Sequence, residues 1–201
     1  MISAEPTIAE PSPGRVYRAP VAVVKHLLGV MCAYAVTGCA TSSPSGPALP
    51  PLQTVPSVEL SRYVGTWYEI ASYPQSFQRG CTGTTATYTL RKDGNVDVVN
   101  RCRKDTLDGR LKSARGRARV VDPQSNAELE VSFFRPFWGD YWIIDLADDY
   151  DYAVVGHPSR DYLWILSRSP AMDASTYEAI LGRLEAQSYE TDRLRRTLQP
   201  A

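Results

Sequence analysis

The feature that most constrains the fold is a series of short apolar and aromatic segments, separated by turn-forming residues, that begins at Trp67. Asp93-Gly94 lies between two such segments, and this dipeptide is a strong signal for a β-hairpin. Apolar and polar residues alternate within the segments, so each strand buries one face and exposes the other. Eight strands are predicted, over residues 67–73, 82–90, 96–102, 114–121, 128–133, 141–146, 152–155 and 162–166. This pattern predicts an all-β sandwich or barrel.

One helix is predicted after the strands. Asp173 is a suitable N-cap, and Tyr177, Ile180, Leu181 and Leu184 follow it at helical spacing. We expect this amphipathic helix to pack on the outside of the sheet. Eight strands that close into a barrel leave no unpaired edges, and their interior is either filled by side chains or holds one small ligand.

The N-terminal region differs from the rest of the chain. Lys25 and His26 precede an apolar segment, residues 27–36, that is too short to span a bilayer and is typical of a secretory signal. A buried core segment is the alternative, but a linker follows it and not another element. The stretch after it is rich in Pro and Ser, which suits a flexible tether. We therefore assign residues 1–38 to an N-terminal extension with a signal peptide, 39–56 to a tether and 57–201 to the folded domain.

Residues 36–39, Val-Thr-Gly-Cys, resemble the site at which bacterial lipoprotein signal peptidase cleaves before a cysteine that receives diacylglycerol. The resemblance implies that Cys39 is acylated and anchors the protein, since two or three acyl chains hold a protein stably in a membrane. Ala40 follows it, where the inner-membrane retention signal has Asp. We therefore expect a lipid-anchored protein of the outer membrane whose domain faces the periplasm.

Charge and cysteine usage exclude some functions. The formal net charge is zero, with 22 basic and 22 acidic residues, which argues against a nucleic-acid partner. Export implies an oxidising compartment. Cys32 lies in the signal segment and Cys39 is the predicted anchor, so Cys81 and Cys102 remain and suggest one disulfide. His157 is the only histidine after residue 26, so no metal site is expected, and nothing in the sequence requires a cofactor.

Three motifs resemble those of the lipocalin family. Gly65-Thr66-Trp67 is similar to the first motif, Gly-x-Trp at the start of the first strand. Asp151-Tyr152-Ala153 is similar to the second motif, and Arg168 is similar to the third, at the end of the last strand. The three occur in the family's order, and the resemblance covers nearly all of the predicted domain. Residues 131–137 and 161–168 resemble the bacterial outer-membrane lipoprotein lipocalins in particular.

The resemblance implies an eight-stranded antiparallel up-and-down β-barrel with one C-terminal helix packed outside it. In the family the tryptophan closes one end of the barrel and the arginine lies across it. Gly65, Trp67 and Arg168 are therefore expected to form a floor, with no catalytic role. The resemblance further implies a protein that stores or transports fatty acids or lysophospholipids. Members of this subfamily often carry cysteines at both Cys81 and Cys102, which supports the predicted disulfide.

The alternation of residues predicts a ligand pocket if Trp67 points inward. The inward set is apolar and aromatic, with a few hydroxyls and one amide, and it suits an acyl chain whose polar end lies near the mouth. It comprises Ala86, Tyr88, Val96, Val98, Asn100, Ala118, Val120, Leu129, Val131, Phe133, Tyr141, Ile143, Ala153, Val155, Tyr162 and Trp164. Glu69 also faces inward in this scheme. A buried carboxyl needs hydrogen-bond donors or a proton, and tyrosine hydroxyls are candidate donors.

Two other functions stay open at this point. A barrel filled by its own side chains would make this a structural envelope protein. An enzyme acting on a lipid would have to rely on carboxylates, since no nucleophile–histidine–acid set faces inward. Phe137-Trp138-Gly139 is expected in a loop at the mouth, where aromatic side chains could contact a membrane, gate the pocket or pack in a homodimer.

Overall fold

Eight antiparallel strands close into one barrel in the computed structural model, which describes residues 49–201. They are β1 (Gly65–Ser72), β2 (Cys81–Leu90), β3 (Val96–Lys104), β4 (Leu111–Val120), β5 (Glu128–Phe134), β6 (Phe137–Leu146), β7 (Tyr152–Gly156) and β8 (Leu163–Ser167). Each strand pairs with the next along the chain, and β1 also pairs with β8. The predicted antiparallel eight-stranded barrel is therefore confirmed. The predicted signal peptide, Cys39 and most of the predicted tether lie outside the described residues.

The direction of β1 distinguishes the two ends of the barrel. Gly65 begins β1 at the closed end, and Ser72 ends it at the open end. The β2–β3 hairpin therefore turns at the closed end, through Asp93-Gly94 as predicted. Gly94 adopts a φ of +80°, which glycine tolerates best, and the Arg91 amide donates to the Asn95 carbonyl at 2.8 Å. The β3–β4, β5–β6 and β7–β8 connections lie at the open end, together with the link from β1 to β2.

The predicted helix, α2 (Ala174–Ala186), packs against the outside of the barrel; a shorter helix, α1 (Leu60–Tyr63), precedes β1. Asp173 is the N-cap of α2, since its carboxylate accepts from the Ser175 and Thr176 amides. Ile180 and Leu184 are buried and belong to a core cluster that also contains residues of β1, β7 and β8. This cluster is separate from the one inside the barrel. No helix within residues 49–201 is long and apolar enough to cross a bilayer.

A ninth strand, β9 (Arg195–Arg196), was not predicted. β1 and β2 pair only from Gly65 to Tyr68, and toward the open end they separate. We call this opening the β1–β2 gap. The C-terminal segment, residues 195–199, fills it: Arg196 pairs with Ala71, and the Gly83 amide of β2 donates to the Leu198 carbonyl at 2.7 Å. Two consecutive arginines carry no apolar alternation, so the sequence offered no signal for this strand.

The β5–β6 connection is shorter than expected. β5 ends at Phe134 and β6 begins at Phe137, so Phe137-Trp138-Gly139 belongs to a strand and not to a loop. Trp138 packs beneath Arg119, whose guanidinium lies 4.3 Å from the ring centroid. Phe137 stays exposed and stacks on Phe134. The exposed aromatic surface at this part of the open end therefore consists of phenylalanines, without Trp138.

Candidate functional site

Trp67 and Arg168 come together at the closed end. Trp67 is 0% exposed, and the Arg168 guanidinium lies 3.7 Å from its ring centroid, a cation–π contact worth about 0.5–2 kcal/mol. The indole Nε1 donates to the Tyr63 carbonyl at 2.8 Å. Arg168 donates to five backbone carbonyls, those of Arg62, Tyr63, Val64, Thr66 and Tyr150. Burial lowers the pKa of Arg168. All of these partners belong to the protein itself, so the geometry is that of a structural floor.

Gly65 permits this arrangement by its position. Its φ is +103°, a backbone conformation that favours glycine, and a Cβ at this position would lie 3.2 Å from Nη1 of Arg168. A larger residue would therefore strain the backbone and crowd the guanidinium. The glycine, the tryptophan and the arginine of the predicted floor thus lie against one another.

Three buried tyrosine hydroxyls lie above the floor. The Tyr141 hydroxyl is 2.7 Å from that of Tyr63 and 2.9 Å from that of Tyr88. Three hydroxyls carry three protons, yet only two contacts join them, so one proton has no acceptor within the cluster. Burial raises the pKa of Tyr63 and Tyr141 well above the usual value, and that of Tyr88 to about 12. The cluster is therefore neutral at physiological pH.

Most of the predicted pocket residues do meet inside the barrel. The interior cluster, with the side chains packed against it, includes Ala86, Tyr88, Val96, Val98, Ala118, Val120, Leu129, Val131, Tyr141, Ile143, Ala153, Val155 and Trp164. A cavity between Tyr88, Ala118, Val131 and Tyr141 has a volume of about 10 Å³. That is close to the smallest space that holds one water molecule. This part of the closed half is therefore packed.

Two predicted pocket residues lie at the rim and not among the buried interior side chains. Phe133 is 43% exposed, because the β5–β6 pairing shifts register between Val131 and Phe134. Tyr162 is 36% exposed, because β8 begins only at Leu163. Both keep contact with the predicted inward set: a Cβ on Gly116, which pairs with Val98, would lie 2.8 Å from the Phe133 ring, and Tyr162 stacks on Trp164.

Glu69 faces the interior and is 6% exposed. Its Oε1 accepts from the Ser72 hydroxyl at 3.1 Å and from the Thr197 hydroxyl at 2.6 Å. Its Oε2 accepts from the Gln78 amide nitrogen at 2.7 Å. The expectation that tyrosines supply these donors was wrong. Gln78 also accepts from Nε1 of Trp164 at 3.0 Å, so one network links the carboxylate to a pocket tryptophan.

Sequence reasoning missed three of these residues for different reasons. Gln78 lies in a short 3₁₀ turn, Ser76–Gln78, in the link between β1 and β2. Thr197 comes from the C-terminal segment, and no pattern in the sequence predicts that this segment lies near β1. Ser72 shares the inner face with Glu69 only because β1 has a register shift between Glu69 and Ala71. No periodicity in the sequence encodes any of these placements.

The predicted disulfide is confirmed. Cys81 and Cys102 are bonded, with their Cα atoms 5.4 Å apart. Through the hairpin turn Cys81 pairs with Lys104, so simple strand pairing would leave the two cysteines offset. The pairing stays offset by two residues, but a register shift between Thr82 and Thr85 bends β2, and the two cysteines bond across the offset. The disulfide joins the two strands at the open end of the barrel.

At the open end, the His157 ring contacts a serine through one nitrogen and an aspartate through the other. Nδ1 lies 2.9 Å from the Ser159 hydroxyl, and Nε2 lies 3.5 Å from Asp140. The Ser159 backbone amide also donates to Nδ1, at 3.1 Å. That amide competes with the hydroxyl for the one lone pair that a general base needs. The arrangement therefore acts as a turn that orders the β7–β8 link. Within residues 49–201, no group of three His, Cys, Asp or Glu side chains could hold a metal ion.

Comparisons with known proteins agree with this geometry. The family model of the lipocalin-like domain matches residues 58–199. An outer membrane lipoprotein Blc of Citrobacter freundii is 39% identical over 178 residues, covering 89% of this chain and 98% of its own length. Temperature-induced lipocalin-1 of Arabidopsis thaliana is 38% identical and covers 74% of this chain and 83% of its own length.

A solved structure supports the fold at lower sequence identity. Insecticyanin from the tobacco hornworm Manduca sexta superposes with a TM-score of 0.59 at 21% identity, covering 75% of this chain and 85% of its own. At that identity the likeness concerns the fold alone. The family match over most of the chain, together with the barrel and its floor, shows that this chain belongs to the lipocalin-like family.

Proposed function

We propose that this chain is a lipid-binding lipoprotein that stores or transports fatty acids or lysophospholipids at the bacterial outer membrane. The observation that carries the proposal is the contrast inside the barrel. Side chains fill the closed half and leave a cavity of about 10 Å³. Toward the open end, Trp164 packs against the interior cluster but remains only half-buried, and Tyr162 stacks on it. An apolar, partly accessible interior with one closed end suits a single acyl chain.

The membrane part of the proposal rests on the N-terminal sequence and on the relatives. Relatives in Citrobacter freundii and Escherichia coli carry the name outer membrane lipoprotein. Val36-Thr37-Gly38-Cys39 supplies an acceptor for acylation, and Ala40 favours the outer membrane. We infer that the barrel faces the periplasm on a short Pro- and Ser-rich tether. The exposed Phe134 and Phe137 at the open end would allow a homodimer or a contact with the membrane surface.

We infer a binding role and not a catalytic one. Glu69 accepts from three neutral donors, and the lone pair of His157 is shared with a backbone amide. Neither group is prepared to activate a nucleophile. Purified protein is therefore expected to bind lysophospholipid without turnover, and release of free fatty acid that a Ser159→Ala substitution abolishes would contradict this.

Val131→Arg tests the pocket directly. Val131 lines the interior cavity, so an arginine there places an unpaired charge in the acyl path. We expect it to abolish binding of a C16 fatty acid, measured by quenching of tryptophan fluorescence, or to prevent folding. The matched control is Val121→Arg, because Val121 is 51% exposed. Loss of binding in both variants, or in neither, while both stay folded would contradict an internal site.

Cys39→Ala tests the anchor. We expect the variant to lose acyl labelling and either to remain as unprocessed precursor or to be released to the periplasm. Cys32→Ala is the control, because Cys32 lies within the apolar segment. Acyl labelling that persists without Cys39 would contradict the assignment.

A further inference from the structure

Three of the four buried side-chain atoms without hydrogen-bond partners in the described region lie on β2, on β3 and in the C-terminal segment; the fourth, Ser132 Oγ, lies on β5. Within residues 49–201, Thr84 Oγ1, Asn100 Oδ1 and Gln199 Oε1 are buried and have no hydrogen-bond partner. Thr84 itself is 7% exposed. Buried polar atoms are nearly always satisfied in native proteins, and each exception calls for an explanation.

Contacts of the C-terminal segment bring these atoms to one place. The Gln199 side-chain nitrogen donates to the backbone carbonyl of Glu69 at 2.7 Å and to that of Thr84 at 2.9 Å. Gln199 therefore bridges β1 and β2 across the β1–β2 gap. Asn100 pairs with Ala86 on β2, and the buried Thr84 lies two residues before Ala86, at the register shift of this strand. The inward-facing carboxylate of Glu69 completes this group.

The chemistry of the group is that of an acceptor site. Both carbonyl contacts of Gln199 fix its nitrogen, so its oxygen is the free atom and can only accept. The oxygens of Glu69 and Asn100 also only accept, and the Thr84 hydroxyl does both. No Lys, Arg or His side chain of the described region forms an ion pair with Glu69. Buried carboxylates usually have such a partner, so the site lacks a positive charge, and the three acceptors Thr84 Oγ1, Asn100 Oδ1 and Gln199 Oε1 lack donors.

We propose that Glu69, Thr84, Asn100 and Gln199 form a head-group subsite for single-chain lipids whose head group donates hydrogen bonds, a primary ammonium first and a hydroxyl second. The proposal rests on the proposed lipid-binding function and narrows it. An ammonium group would supply three donors and the missing charge. A free carboxylate would bring only acceptors and a second negative charge next to Glu69. The subsite therefore selects against free fatty acids of the same chain length.

Binding of a matched C14 series to the purified protein tests this inference. Tetradecylamine, tetradecanol and myristic acid share one chain length and differ only in the head group. Binding is followed at pH 7 by the fluorescence of Trp164, which is linked to Glu69 through Gln78. We expect the amine to bind at least about tenfold more tightly than the acid, since hydrogen bonds to charged groups are the stronger ones.

Thr84→Val is the variant that leaves folding intact, because it removes a buried hydroxyl that has no partner and keeps the side-chain shape. It should weaken amine and alcohol binding several-fold and leave acid binding unchanged. Thr85→Val, on the outer face of the same strand, is the control and should change nothing. Glu69→Gln should remove the preference for amine over acid. Equal affinity for amine and acid, with no effect of Thr84→Val, would overturn the subsite and leave lipid binding standing. Failure of all three compounds to bind would overturn both.

Discussion

At the closed end of the barrel the polar groups of the floor are hydrogen-bonded, whereas toward the open end some buried polar atoms have no partner. At the closed end Arg168 donates to five backbone carbonyls, and Trp67 donates to one of the same five, that of Tyr63. Toward the open end, Thr84 and Gln199 keep buried atoms without partners. A satisfied polar network stabilises the fold, whereas an unsatisfied one leaves interactions available to a ligand. The comparison teaches that the polar network of the closed half should contribute to stability, and the unpartnered polar atoms of the open half to affinity.

Arg168→Leu should have the largest effect, and it should change the stability of the protein without a large change in its lipid affinity. The change removes the cation–π contact and leaves several carbonyls of residues 62–66 without a donor. We expect the free energy of unfolding to fall by about 3–5 kcal/mol, measured by urea denaturation. Arg183→Leu, on the exposed side of α2, is the control and should cost far less. A large change in the lipid affinity of the folded Arg168→Leu protein would contradict this separation of stability and affinity between the two halves.

Loss of the disulfide tests whether the open half also contributes to stability. The Cys81→Ser, Cys102→Ser double variant should lower the free energy of unfolding by about 3 kcal/mol, because the unfolded chain gains entropy. The measurement is thermal or urea unfolding with and without reductant. Addition of reductant should destabilise the parent protein and leave the double variant unaffected. Equal stability of parent and variant would mean that the disulfide does not constrain the chain.

Tyr141→Phe sharpens the comparison within the closed half. Tyr141 is the middle hydroxyl, so its removal leaves both Tyr63 and Tyr88 without their shared partner. We expect a loss of about 1–3 kcal/mol in the free energy of unfolding. Tyr88→Phe removes only an end hydroxyl and should cost less. If the end variant proved the more destabilising, the hydroxyl cluster would not be the linear arrangement described.

The smallest effect should come from Asp173, which lies outside both halves. Hydrogen bonds from the Thr176 hydroxyl, the Ser175 amide and their neighbours lower the pKa of Asp173 to about 2. A carboxyl with a lowered pKa in the folded state stabilises fully above its unfolded value and loses that contribution as the pH falls through about 2. Asp173→Asn should therefore reduce stability slightly at pH 7 and no longer at pH 2. Unfolding curves at the two pH values measure this, and an equal difference at both would contradict it.

The sequence predicted the closed half better than the open half, for a physical reason. Gly65, Trp67 and Arg168 form short motifs whose roles depend on local backbone and on one long-range contact. Alternation then located most interior residues, because each strand has one buried face. The open half depends instead on register shifts in β1, β2 and β5 and on the C-terminal segment. Such irregularities leave no periodic pattern in the sequence, so the exposure of Phe133 and Tyr162 was not predicted and the donors to Glu69 were missed.

The C-terminal segment has a consequence for the order of events during folding. The β1–β2 gap is filled by residues 195–199, which are made more than a hundred residues after β1. Until they arrive, the inward carboxylate of Glu69 lacks its Thr197 donor, and the Gly83 amide lacks its acceptor. Contacts between such distant parts of a chain form slowly. A chain whose C-terminal segment has not yet been made therefore cannot complete its barrel, and the last step of folding coincides with closure of the β1–β2 gap.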